Sequence, residues 1–152
     1  MKKKNIAIEI LPRVLWIVMV VCLYLGQHFT NSPPILNDNT LFICLGVVLS
    51  IGGLFLWFYV AYYMRKSLFD KSLVTACLFK YVRHPMYVGI YIMLLGFGIL
   101  FFSEIWFIIM LIFIPVWYFN CKIEEKQMID LHKEKYIDYK KRTGMFLPKL
   151  KN

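Results

Sequence analysis

From Leu41 to Met64 the chain carries no Asp, Glu, Lys or Arg. A bilayer core about 30 Å thick is crossed by a helix of about 20 apolar residues, because a helix satisfies its own backbone polar groups where no water reaches. A run of that length and purity leaves few alternatives to a membrane span, and the rest of the chain agrees with it. The sequence of 152 residues is 60% hydrophobic and only 18% charged, whereas soluble domains average about 25% charged residues. This composition excludes disorder and argues against an ordinary soluble fold. The length suggests one domain, residues 1–152.

Three further apolar runs follow from the same test. Val14–Phe29 is one, entered through Pro12 and Arg13, and Met86–Phe119 is too long for one ordinary span. With Ser103-Glu104 in its middle, that block reads as a tight hairpin of two helices, 86–102 and 105–119. The expectation is an all-α integral membrane protein with four spans, 14–29, 41–64, 86–102 and 105–119. Asn31-Ser32-Pro33-Pro34 is a plain connecting loop.

The 18 Lys and Arg residues fall at 2–4, 13, 65, 66, 71, 80 and 83, and then from Lys122 onward. None lies in the 30–40 connection or at 103–104, so the positive-inside rule places both termini and residues 65–85 in the cytoplasm. The net charge of +9 then suits an anionic lipid face rather than nucleic acid. The expected location is the cytoplasmic membrane of a prokaryote, with membrane lipids as neighbours. The oligomeric state is not written in these residues. Cys22, Cys44, Cys77 and Cys121 have neither CxxC spacing nor a nearby paired histidine, so no metal is expected.

Inside the spans, Gly46 and Ser50 stand at small-xxx-small spacing, and Gly52, Gly53, Gly96 and Gly98 also permit close helix approach. Pro115 is expected to kink the last span. Two segments remain outside the lipid, 71–87 and 121–148. The tail reads as a helix continuing from the fourth span, with Met128, Ile129, His132, Tyr136 and Tyr139 on one face. Gly144 is a plausible stop. A plain amphipathic helix lying on acidic lipid fits that segment as well.

The run Lys80-Tyr81-Val82-Arg83-His84-Pro85-Met86-Tyr87 carries more chemistry. Pro85 suits the first turn of a helix, which puts His84 beside backbone N–H groups that favour a ligand carboxylate. Arg83 alternatively anchors the chain at the lipid surface, and His84 alternatively serves structure. Glu124 and Glu125 follow the fourth span; on a helix they point about 100° apart, so one is free to pair with a cation while the other faces a pocket. A carboxylate there suits the two hydroxyls of a ribose. Two solvated charges are the plainer reading.

Leu73-Val74-Thr75, then Arg83-His84-Pro85-Met86-Tyr87-Val88-Gly89, resembles the isoprenylcysteine carboxyl methyltransferases and the related phospholipid methyltransferases. Glu124-Glu125, Tyr136, Tyr139-Lys140-Lys141-Arg142 and Leu147-Pro148 extend the likeness, which covers residues 71–148. The resemblance implies transfer of a methyl group from S-adenosyl-L-methionine to a lipophilic small molecule or lipid entering from the bilayer, such as the carboxylate of a prenylcysteine-like molecule. It implies a cofactor pocket lined by Leu73, Val74, Phe79, His84, Pro85, Met86, Tyr87 and Glu124. Glu125, with His84, becomes a candidate base for an amine, phenol or thiol acceptor, and Arg142 a group that steers an anionic head group. The chain departs from the family pattern at Cys77-Leu78-Phe79, where a Gly-x-Tyr is usual, at Asn120, where an arginine is frequent, and at His132-Lys133. Those departures motivate a second reading, a membrane scaffold that keeps the fold without catalysis. A transporter is a third, opposed by the lack of ionisable residues within the spans and of any repeat.

Overall fold

The computed structural model describes residues 6–29, 39–70, 72–101 and 104–149. The 31–34 loop, Ser103 and the basic residues Lys2, Lys3 and Lys4 lie outside them. Among the described residues there are five α-helices and no strand: α1 (Ile6–Phe29), α2 (Thr40–Asp70), α3 (Pro85–Leu100), α4 (Glu104–His132) and α5 (Glu134–Arg142). A short 3-10 turn, Cys77–Lys80, precedes α3.

Thr40–Arg65 and Glu104–His132 are long and apolar enough to cross a membrane; Val14–Gly26 and Pro85–Leu100 are shorter apolar helices. The large side chains of α2 point outward: Leu41, Val48, Ile51, Phe55 and Phe58 are all more than half exposed. In water such a surface has no ready account; against lipid tails it costs nothing.

The helices pair as α2 with α3 and α1 with α4, and the contact between α3 and α4 is slighter. α3 and α4 follow one another closely in the chain, as the expected hairpin has it, and Trp106 Nε1 donates to the Leu94 carbonyl at 2.9 Å, but α3 lies closest to α2. The reason is the small-residue stripe, which lets the backbones of α2 and α3 approach closely. A Cβ on Gly53 would fall 2.6 Å from the Gly89 carbonyl oxygen, and one on Gly96 would meet the backbone of Gly46 and Ser50. Gly52 faces open space, and Gly98 faces Phe107 and Trp106 of α4. The core that joins the two pairs is Met19 and Leu23 of α1, Ile90 and Leu94 of α3, and Met110, Phe113 and Trp117 of α4.

α4 continues through Pro115 and well beyond the apolar stretch 105–119. The tail, however, is two helices rather than one. At Lys133 the backbone turns to φ 53, a left-handed value that ends α4 and re-aims α5. Tyr136 and Tyr139 are thereby buried, whereas Met128, on the same predicted face, stays 38% exposed. α5 ends at Arg142, and the chain then runs beside residues 81–84. Gly144 forms an isolated parallel bridge with Val82. Arg83 N–H donates to the Gly144 carbonyl at 2.9 Å and His84 N–H to the Met145 carbonyl at 3.1 Å. This strap fixes the entry to α3.

Candidate functional site

The site forms where the start of α3, the end of the apolar part of α4 and the strap after α5 meet. On α4, Trp117, Asn120, Cys121, Glu124 and Glu125 recur at three- and four-residue steps, so they share one face. His84 and Tyr87 come from the other side, placed by Pro85 at the first position of α3.

The two glutamates do diverge. Tyr87 Oη donates to Glu124 Oε1 at 2.5 Å, and Asn120 Nδ2 donates to the same oxygen at 2.9 Å and to Tyr87 Oη at 3.0 Å. Glu125 is 1% exposed. Its Oε1 takes Arg83 Nε at 2.6 Å, and Lys140 Nζ lies 2.6 Å from Oε2. Glu125 lies past the apolar part of α4. Burial alone would push its carboxyl up, but the facing His84, Lys140 and Arg83 side chains outweigh that and hold it well below the usual carboxylate range.

Arg83 also donates through Nη1 to the carbonyls of Lys140, at 3.3 Å, and Thr143. One guanidinium thus ties the α3 entry, α4 and the end of α5 together. Tyr139 Oη donates to the Phe79 carbonyl at 2.7 Å. Burial pushes the Tyr139 hydroxyl up to about 12, and that of Tyr136 upward as well.

The His84 ring stands between the two carboxylates, with Nδ1 3.5 Å from Glu124 Oε2 and Nε2 3.7 Å from Glu125 Oε1. It makes no side-chain cap to α3. Beside this polar cluster opens a groove of about 360 Å³ between α3, α4 and the strap. Tyr87, Tyr91, Leu95, Trp117, Phe146 and Leu147 are among its lining residues. It is apolar along its length, and Tyr87 is the lining residue it shares with the polar cluster.

The predicted site residues therefore divide. His84, Tyr87 and Glu124 converge, and Glu125 backs them. Pro85 is buried, and Met86 packs against the core. Phe79 is buried in the 3-10 turn with its carbonyl on Tyr139. Leu73 and Val74 are half-buried in the extended stretch 72–75. Arg142 is exposed on α5, its Nε donating to the Asp138 carbonyl at 3.3 Å, and no contact joins it to the cluster. Asn120 enters the network as a donor to Glu124, a role its helical spacing could have signalled. Lys140 and Phe146 were missed, because only the strap and the turn at Lys133 bring the tail against α3; Tyr91, one turn after Tyr87 on α3, was missed as well.

Apolar helices that carry a buried polar cluster at one end, beside an apolar groove, define a helical membrane protein. Residues 40–135 match the phospholipid methyltransferase family, and the chain belongs to that family of membrane methyltransferases. Two curated relatives are similar to it. A methanethiol S-methyltransferase of Pseudomonas deceptionensis is 37% identical over 90 residues, 54% of this chain and 30% of the relative. Another methanethiol S-methyltransferase, of Crocosphaera subtropica, is 28% identical over 92 residues, 57% of this chain and 33% of the relative. The chain spans about a third of the length of these relatives. No solved structure matches it.

Proposed function

We propose that the protein transfers a methyl group from S-adenosyl-L-methionine to the sulfur or nitrogen of a small lipophilic acceptor held in the groove between α3 and α4. The observation that carries this reading is the apolar groove lined by Tyr87, whose hydroxyl holds Glu124 beside His84. All four apolar helices cross the bilayer in this reading, and the cluster lies at the cytoplasmic end.

The residues present fit the donor. Glu124 keeps Oε2 clear of Tyr87 and Asn120, and a carboxylate suits both a ribose diol and a nearby cationic sulfonium. His84 is nine-tenths buried with Nε2 lacking a hydrogen-bond partner. When bound, the donor supplies an electrophilic methyl group. The protein then has to position the acceptor in line and exclude water, which is worth several kcal/mol of barrier, up to ~7–11 in the best cases. Tyr87, Trp117 and Phe146 supply the dry wall.

A carboxylate acceptor, as in the prenylcysteine resemblance, fits less well. Arg83 and Lys140 are both committed to Glu125, and Glu124 would repel an anion. A neutral thiol or amine meets no such repulsion, and the names of the two relatives favour the thiol. Its proton passes to His84 Nδ1, and the flanking carboxylates stabilise the resulting imidazolium. Glu125 acts by orienting His84. Arg142 sits where it would anchor the tail at the lipid surface.

Equilibrium dialysis of the detergent-solubilised protein against S-adenosyl-L-methionine tests the reading, with decanethiol as acceptor and mass spectrometry for the added methylene. Glu124→Gln should weaken donor binding about ten- to a hundredfold, the worth of a charged hydrogen bond. A folded wild-type protein that binds no donor would refute it.

A further inference from the structure

We propose that His84, Cys121 and Glu124 form a binding site for a thiophilic divalent cation, zinc foremost, and that the ion closes the donor pocket reversibly. The closing rests on the functional reading above; the metal site does not.

One ligand atom from each of the three residues lies within 4.8 Å of the others. Between His84 Nδ1 and Glu124 Oε2 the distance is 3.5 Å, too long for a good hydrogen bond. It is close to the edge of a tetrahedron built on zinc–ligand bonds of about 2.0–2.1 Å, which is about 3.4 Å. The Cys121 sulfur lies within 4.8 Å of both.

The oxygen concerned is the one left over. Tyr87 and Asn120 both donate to Glu124 Oε1, which fixes the carboxylate plane and leaves Oε2 turned to the histidine. The other ring nitrogen of His84, Nε2, is buried without a hydrogen-bond partner and faces Glu125 Oε1 at 3.7 Å. An imidazole that ligates zinc through one nitrogen characteristically gives its other N–H to a carboxylate, which sets the tautomer. Arg83 and Lys140 hold that carboxylate in place. Cys121 is fully buried one turn before Glu125, so its sulfur is shielded from solvent.

Thiolate, imidazole and carboxylate together suit zinc better than magnesium or calcium. Binding releases one proton, from the Cys121 thiol, and forms the zinc–sulfur bond in its place. Three protein ligands leave a fourth position open to water. The site escapes a search for CxxC spacing because its ligands come from the start of α3 and the middle of α4. Since the ion takes His84 and Glu124, ion and donor exclude one another.

Cobalt(II) titration of the full chain in detergent, under reducing conditions, is the test. Wild-type protein should develop a thiolate-to-cobalt charge-transfer band with one-to-one stoichiometry, bleached by zinc. Cys121→Ser should abolish the band with helical circular dichroism unchanged, whereas Cys22→Ser should keep it. Saturating zinc should weaken S-adenosylhomocysteine binding at least tenfold in wild type and leave it unchanged in Cys121→Ser. No band in wild type, or a band that survives Cys121→Ser, overturns the metal site. A band without competition overturns the closing. A metal-free protein that fails to bind S-adenosylhomocysteine overturns the functional reading and the closing with it, while the band still decides the site.

Discussion

Glu125 shares its surroundings with Arg83, Lys140 and His84, so its charge is matched although its own side chain is buried. Removing one partner of such a buried pair costs about 3–5 kcal/mol, because the other charge is left without compensation. Arg83→Leu and Glu125→Gln should each lower the unfolding temperature by that measure, read by circular dichroism in detergent. The pH dependence follows from the depressed carboxyl. A group whose pKa is lowered by folding stabilises the fold above its unfolded value, about 4.3 for glutamate. That contribution fades as pH falls through the lower folded value. Wild-type stability should therefore hold at mildly acidic pH and decline only below about pH 4, and Glu125→Gln should show a shallower decline. The sequence alone announced that the adjacent glutamates diverge, since helix geometry fixes their angle. Which one meets the cations depends on α5, and nothing local to Glu124-Glu125 encodes that.

Glycine placement decides how the elements pair. Gly53 and Gly89 let the α2 and α3 backbones touch, and Gly52, one residue away, points into open space. Gly53→Ala should destabilise by about 1–3 kcal/mol, the usual cost of overpacking a tight contact. Gly52→Ala should be neutral or stabilising by up to about 1 kcal/mol, through helix propensity alone. Unfolding both variants in the same detergent, with equal loss of stability as the adverse result, checks the register. The small-residue stripe was visible in the sequence, but its partner was not: α3 packs against both chain neighbours, and only surface complementarity makes the approach to α2 the closer one. The break at Lys133 was equally hidden, because lysine carries no turn signal. Its φ of 53 and ψ of −128 make a conformation glycine adopts with little strain, and a non-glycine residue held in such a sparsely populated region costs about 1–3 kcal/mol. Lys133→Gly should leave the fold intact and raise the unfolding temperature; a lowered one would place the break elsewhere.

At the scale of the molecule, the apolar runs were legible because a bilayer imposes a length and a polarity on every helix that crosses it. Their arrangement was less so: α2 and α4 pass the test of length and hydropathy, and α1 and α3 contribute shorter apolar stretches. Charge supplies what length does not. The Lys and Arg residues cluster before the first apolar run, between the second and third, and after the fourth. Each cluster falls on the same side when all four runs cross, and the positive-inside rule makes that side the cytoplasm. We propose that topology. It puts the α3 entry, the Glu124–Glu125 pair and the strap together at one face, as their hydrogen bonds require, and sends the loop around Asn37 to the other. Fewer crossings would break this agreement, since withdrawing either α1 or α4 would separate a basic cluster from the others across the membrane. A phosphatase reporter fused after Asn152 should be inactive, and the same reporter inserted at Asn37 should be active, with a cytoplasmic fluorescent reporter giving the reciprocal pattern. Activity at both positions, or at neither, would contradict four crossings. In that case the cluster would stand at a bundle end of different membership, even though its internal geometry were unchanged.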